Sequence, residues 1–452
     1  VTGAAITDRR VWRIAGPIVL SNMTVPLLGA VDTGVVGQMG AAAPIGAVGM
    51  GAIVLASVYW IFGFLRMGTS GLAAQAHGAG DGAERGAILI RALAIAAGAG
   101  AVMIVAQGGI VWAAFRLAPA SAEVEALASD YLSIRIWGAP ATIALYAVTG
   151  WLIAVERTRG VLAVQLWMNG LNVGLDLWFV LGLGWGVQGV AAASLIAEWT
   201  GLALGLWLCR AAFARTALRD RARLLAAGPV RRMLAVNTDI MIRSLLLQAA
   251  FTTFVFLGAG QGEVVLAANQ VLLQFLGIAA HALDGFAFAA ETLVGQAVGA
   301  GRRRDVRRAS VVASRWGAGG AAVLALVFGL GGGPIIDLMA TDPAVREAAR
   351  LYLPWMILAP LIGVASWMFD GIFIGATLTR EMRKAMIASV AVYVVALAVL
   401  VPGFGNHGLW GALMVLNAVR GLTMAVLYPR AELAADQSQA SRPVPATAAG
   451  EA

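Results

Sequence analysis

Apolar runs alternate along most of the chain with short stretches of Gly, Pro and charge, and many runs exceed the ~20 residues needed to cross a bilayer. Read this way the sequence predicts twelve helical spans, near residues 11–37, 44–71, 87–114, 130–154, 161–183, 187–209, 231–258, 263–295, 307–330, 346–375, 384–402 and 408–428. The fold class is an all-α polytopic membrane protein. The expected organisation is a short cytoplasmic N-terminus (1–10), a six-helix lobe (11–209), an Arg-rich cytoplasmic linker (210–230) and a second six-helix lobe (231–428). A polar, Ala/Pro-rich tail (429–452) is expected to be disordered.

Orientation follows from the arginines. They cluster in alternate connections, at Arg85 and Arg91, Arg157 and Arg159, Arg210 to Arg232, Arg302 to Arg308, and Arg380 with Arg383 and Lys384. The intervening connections are nearly bare. The positive-inside rule then places both termini in the cytoplasm, which requires an even number of spans.

The chain also repeats itself. Ala74-Gln75-Ala76-His77-Gly78 is echoed by Gly295-Gln296-Ala297-Val298-Gly299, and Gly150 through Thr158-Arg159 by Gly371 through Thr379-Arg380, both at a spacing of 221 residues. Two halves of six spans enter the membrane from the same side, so they are related by a parallel pseudo-twofold repeat about the membrane normal. Such a pair of lobes favours a central cleft that opens alternately to each side.

Composition narrows the function. At 60% hydrophobic and 12% charged residues the chain lies outside the ordinary soluble class, and its net charge of +8 marks cytoplasmic loops rather than a nucleic-acid partner. The one lysine, Lys384, follows Arg383 and precedes Ala385, so there is no G-x-x-x-x-G-K-[ST] phosphate loop. His77, His281 and His407 are widely spaced and Cys209 is alone, which leaves no metal-ligand spacing, no internal disulfide and no nucleophile set. No catalytic residue, metal or bound cofactor is expected.

Carboxylates inside the membrane are costly and invite a functional reading. Asp32 lies deep in the first span. Asp176 ends a stripe of Gln165, Asn169, Asn172 and Asp176 whose steps of 4, 3 and 4 share one face of the fifth span. That face must line protein or water. The repeat-equivalent positions of Asp32 and Asp176 hold Thr253 and Leu397, so a six-helix lobe does not itself demand either carboxylate. Asp370 in the tenth span is likewise unmatched, corresponding to Thr149 in the repeat. Arg66 is an alternative cleft residue, while Glu198, Arg243, Asp284 and Glu291 read as structural ion pairs.

Pro17 with Val31-Asp32-Thr33-Gly34-Val35-Val36-Gly37 resembles the opening helix of the multidrug and toxic compound extrusion (MATE) transporters, and Phe62-Gly63-Phe64-Leu65-Arg66-Met67-Gly68-Thr69-Ser70-Gly71-Leu72 followed by Ala74-Gln75-Ala76 resembles their DinF branch. Asp370-Gly371-Ile372-Phe373-Ile374-Gly375-Ala376-Thr377 with Thr379-Arg380-Glu381-Met382-Arg383 resembles the same branch. The resemblance runs from the first span to the twelfth. It implies export of amphipathic, often cationic small molecules in exchange for protons or sodium; the expectation for this chain is a proton-driven, alternating-access antiporter working as a monomer in a bacterial inner membrane. It further implies a proton-coupling and cation-binding site at Asp32, Asn172, Asp176 and Ser194, the last replacing the family's usual threonine. Gln165, Asn169, Arg66 and Asp370 are carried as candidate cleft residues. A second family site, used by sodium-coupled branches, pairs the tenth-span aspartate with an acidic residue of the seventh span. Here Asp370 matches, but the seventh span offers only Asp239, near its start. Two other readings remain, a flippase of lipid-linked precursors and a non-transporting membrane scaffold or sensor.

Overall fold

A computed structural model describes residues 5–38, 42–213 and 220–440, without the side chains of 25–33 and 439–440. It is helical throughout, with no strand among the described residues. The spans are α1 (Asp8–Gly37), α2 (Ala42–Gly78), α3 (Gly82–Val105, continued by Gln107–Leu117), α4 (Ala122–Ala154), α5 (Thr158–Asp176) and α6 (Gly186–Leu208). The second lobe begins with α7 (Ala227–Ala259), α8 (Glu263–Gly299), α9 (Arg303–Met339) and α10 (Pro343–Gly375). The continuous stretch Thr379–Leu427 turns at Gly405, where φ is 53°, into α11 (379–404) and α12 (406–427). With ψ at −128° this is a conformation that glycine adopts readily because it has no Cβ to clash.

Each lobe is held by its own apolar core, with apolar residues such as Val105, Leu330 and Leu338 left exposed on the outside. A third cluster joins the lobes. There the first turns of α1 pack on α8 and α9, with Trp12 edge-on to Phe286 and to Trp316.

The repeat is visible atom by atom where the lobes meet. A Cβ on Gly78 would lie 1.9 Å from the Gln296 carbonyl oxygen, and one on Gly299 would lie 1.9 Å from that of Gln75. The small residues Ala74 and Gly78 of α2 thus face Gly295 and Gly299 of α8, the small-xxx-small arrangement that lets two membrane helices touch backbone to backbone. Gln75 donates to the Gly375 carbonyl (2.9 Å), and its repeat mate Gln296 donates to the Ala154 carbonyl (3.0 Å). Glu156 and Thr377, the repeat-related residues just past α4 and α10, both adopt left-handed φ values of 58° and 53°.

Two arginine clasps close this seam, one from each lobe. Arg10 donates to Glu156 Oε1 (3.1 Å) and across the seam to Gln296 Oε1 (2.7 Å). Arg232 donates across the seam to Gln75 Oε1 (2.7 Å) and to Thr377 Oγ1 (3.1 Å). The first clasp is charged and the second has a neutral anchor. Burial alone would raise the Glu156 carboxyl, but hydrogen bonds and charge from Arg10 and Arg13 outweigh it and hold the group below the usual carboxylate range.

The flanking segments differ from the sequence expectation in one respect. Pro429–Ala440 is a helix, α13, rather than disordered chain. Ala431 and Ala435 are fully buried against the second lobe, and Glu432 is flanked by Arg303 and Arg307 of α9. The polar composition of the tail hid an amphipathic helix whose partners lie elsewhere. Residues 441–452 fall outside the described set. In the linker, Arg91 of α3 holds the carbonyls of Arg223 and Leu224 (2.6 and 2.9 Å), docking that segment on the first lobe.

Candidate substrate and coupling site

The polar stripe of α5 turns inward, toward α1 and α6. Gln165 donates to Asn169 Oδ1 (2.9 Å), one turn along the same face, and Asn169 donates to the Thr24 carbonyl of α1 (3.3 Å). Asn172 donates to Ser194 Oγ of α6 (3.1 Å). Asp176 is fully buried one turn further on. Directly after it the helix widens into a π-helical segment, Leu177–Gly182, a distortion that recurs at functional sites. Asp32 lies within α1, but its side chain is outside the described residues.

Gln165, Asn169, Asn172 and Ser194 line a cavity of about 230 Å³ within the first lobe. Its other walls are Tyr59 and its α2 neighbours, Tyr131 and Arg135 of α4, Met168 of α5, and Ala197 with Glu198 of α6. The cavity combines amides, hydroxyls, two phenol rings and one ion pair, a lining suited to an amphipathic molecule. Sequence reasoning grouped the amides and Ser194 but missed Arg135 and both tyrosines. The available signal was that Glu198 follows Ser194 by one turn of α6.

Arg66 and Asp370 do not line this cavity. Arg66 crosses the seam from α2 to Glu291 of α8 (3.5 Å), with its guanidinium 4.0 Å above the Phe288 ring. Asp370 sits between two arginines: Arg243 of α7 forms an ion pair with its Oδ2, and Arg420 of α12 donates to the same oxygen at 2.9 Å. Asp239, the acidic residue near the start of α7, is engaged by Arg383 (2.5 Å) and by Thr379 (3.1 Å). Asp370 is thus a counter-ion for two guanidinium groups, and Asp239 is engaged elsewhere rather than paired with it. Among the described residues, no group of three or more His, Cys, Asp or Glu is arranged to hold a metal ion.

The family model for MatE matches the chain twice, over residues 17–178 and 240–400, once in each lobe. The chain belongs to the MatE family. It is 39% identical over 428 residues to DNA damage-inducible protein F of Escherichia coli, covering 94% of this chain and 92% of that protein. A probable multidrug resistance protein NorM of Pseudomonas aeruginosa is 26% identical over 453 residues, covering 94% and 90%. In three dimensions the fold is similar to the Vibrio cholerae MATE transporter VcmN in its bent form, with a TM-score of 0.85 at 18% identity over 95% of this chain and 98% of that one. This MatE protein is therefore a multi-pass membrane transporter of two six-helix lobes, and its repeat is the family's own.

Proposed function

We propose that the chain is a secondary active antiporter that exports amphipathic, cationic small molecules in exchange for protons. The observation that carries this reading is the first-lobe cavity, with Asn172 bonded to Ser194 and the buried Asp176 one turn away. A cation and a proton compete for the same carboxylate charge there, and mutually exclusive binding produces exchange when the empty, charged site is slow to switch sides. Asp32 of α1 is the second carboxylate of this site. The relatives named for multidrug resistance support the substrate class.

Protons rather than sodium fit the second lobe, because Asp370 is already neutralised by Arg243 and Arg420. The transporter works as a monomer in a bacterial inner membrane, with both termini and the Arg-rich loops in the cytoplasm. The seam and its clasps then lie on the cytoplasmic side, and this is the state closed to the cytoplasm. A flippase for an anionic lipid-linked headgroup would call for a cationic cleft, whereas the cavity's one arginine is matched by Glu198.

Dye export from proteoliposomes tests the reading. An imposed pH gradient should drive export, an imposed sodium gradient should not, and Asp176→Asn should abolish the pH-driven flux while the protein still inserts and folds. Normal pH-driven export by Asp176→Asn, or export driven by sodium alone, would refute it.

A further inference from the structure

Glu198 is the one acidic side chain among the residues lining the first-lobe cavity, and it is not part of the coupling pair. It lies one turn beyond Ser194 on the same face of α6. Both of its oxygens meet Arg135 of α4: Nη2 donates to Oε1 at 2.8 Å, and Nη1 lies 2.8 Å from Oε2. The two side chains are 11–12% exposed, and both border the cavity rather than being sealed into helix packing.

Local backbone makes room for this carboxylate. Arg135 ends the first half of α4, and a short 3₁₀ turn, Ile136–Gly138, follows it. A Cβ on Gly138 would come within 2.1 Å of Glu198 Oε2, so the carboxylate sits in a notch that only glycine leaves open. A 3₁₀ interruption within a helix is also a joint about which Arg135 can swing. At the same wall, the buried Tyr59 hydroxyl and Arg135 Nε have no hydrogen-bond partner among the described residues. These polar atoms are left over after the pair has formed, at a place where a ligand would sit.

Stability does not account for the pair. A buried ion pair is commonly no more stabilising than apolar residues of the same shape, whereas removing one partner strands a charge at high cost. An exporter of cations faces that cost in every cycle: an acceptor carboxylate must be neutralised again when its cargo leaves. A guanidinium tethered on the neighbouring helix does this, and replacing one cation by another spares the incoming ligand the full penalty of burying a lone charge.

Resting on the efflux reading above, we propose that Glu198 is a substrate-cation acceptor of the first-lobe cavity, and that Arg135 is its built-in stand-in, neutralising Glu198 when the cavity is empty and yielding it to an amphipathic cation when it is filled. Tyr59, Tyr131 and Met168 then contact the apolar body of the ligand, and the Tyr59 hydroxyl gains a partner. Asp32 and Asp176 exchange cargo for protons, while Glu198 sets affinity and charge selectivity.

The test is fluorescence titration of the detergent-solubilised full chain with ethidium as the cation and Nile red as an uncharged probe. Glu198→Gln should weaken ethidium about tenfold or more, the scale of a lost charge-assisted bond, with Nile red changed less than about twofold. Arg135→Gln should tighten ethidium, because its competitor is gone. The double variant Arg135→Gln/Glu198→Gln strands no charge and should fold; it should show the weak ethidium binding of Glu198→Gln. Wild-type ethidium affinity in the folded double variant would overturn the proposal. So would equal weakening of ethidium and Nile red by Glu198→Gln, or weakening of ethidium by Arg135→Gln, since both are signs of a pair that merely shapes the cavity. The efflux reading fails separately: Glu198→Gln retains the pH dependence of ethidium binding, whereas Asp176→Asn loses it if the coupling assignment holds.

Discussion

Gly299→Ala should tilt this transporter away from the state closed at the seam. The new methyl group would lie 1.9 Å from the Gln75 carbonyl oxygen and 2.6 Å from its carbon, against at least 3.4 Å for ordinary contact. The obstacle is backbone, so no side chain can rotate aside, and α2 and α8 must separate by roughly 1.5 Å or more. Overpacking of this kind costs about 1–3 kcal/mol, and it falls on the closed state alone. The gain of about 1 kcal/mol from alanine in place of glycine within a helix applies to both states and cancels. The closed-to-open ratio should therefore fall roughly 5- to 150-fold. The readout is a Ser70→Cys reporter, fully buried in α2 near the seam, in a Cys209→Ala background that removes the chain's single cysteine. A membrane-impermeant maleimide supplied from the Arg-rich face should label the reporter at least about fivefold faster in Gly299→Ala. Gly98→Ala, whose Cβ would meet nothing within 4 Å, should leave the rate unchanged. Labelling at the parent rate in Gly299→Ala, with unaltered dye export, would refute a seam closed by backbone contact.

Glu156→Gln should speed labelling of the same reporter at neutral pH by weakening the Arg10 clasp, and an unchanged rate would count against that clasp. Because the Glu156 carboxyl is held below its ordinary value of 4.5, its contribution is fully present above that value and is lost only as pH falls through the lowered one. Any pH dependence of substrate affinity over roughly pH 5 to 8 must then come from other groups and should persist in Glu156→Gln. That dependence should be a loss of cation affinity toward acid, about tenfold for each unit by which bound substrate lowers the site's apparent pKa, and it should be flat in the Asp32→Asn, Asp176→Asn double variant. Asp370→Asn should chiefly cost folded protein, because it strands the guanidinium groups of Arg243 and Arg420 at about 3–5 kcal/mol. A variant that melts like the parent but has lost export would instead give Asp370 a direct part in transport.

Helical periodicity and the length of apolar runs are local properties, and they were enough to find a helix at each expected span and the break between the eleventh and twelfth. The ninth span is the exception at its end: the sequence predicts a stop at residue 330, before Gly331-Gly332-Gly333-Pro334, but α9 runs through that stretch to Met339, because a membrane span must satisfy its own backbone. The α5 stripe was legible for the same reason: four polar residues on one face cannot point at lipid. The spacing of 221 residues carried the lobe relation, because a repeat is written in the sequence itself.

Partners chosen across distant segments were not legible. Glu198 meets an arginine 63 residues earlier, and Asp370 draws its two arginines from α7 and α12. Nothing in the periodicity of α10 distinguishes a carboxylate that waits for a cation from one already neutralised. The order of α13 depends on arginines of α9 that composition cannot bring near it. At the seam, the sequence alone gave the matching Ala74–Gly78 and Gly295–Gly299 motifs as copies of each other. Only the packed structure brings them face to face, because a contact between two backbones depends on where whole helices lie and leaves no mark in the order of residues along either one.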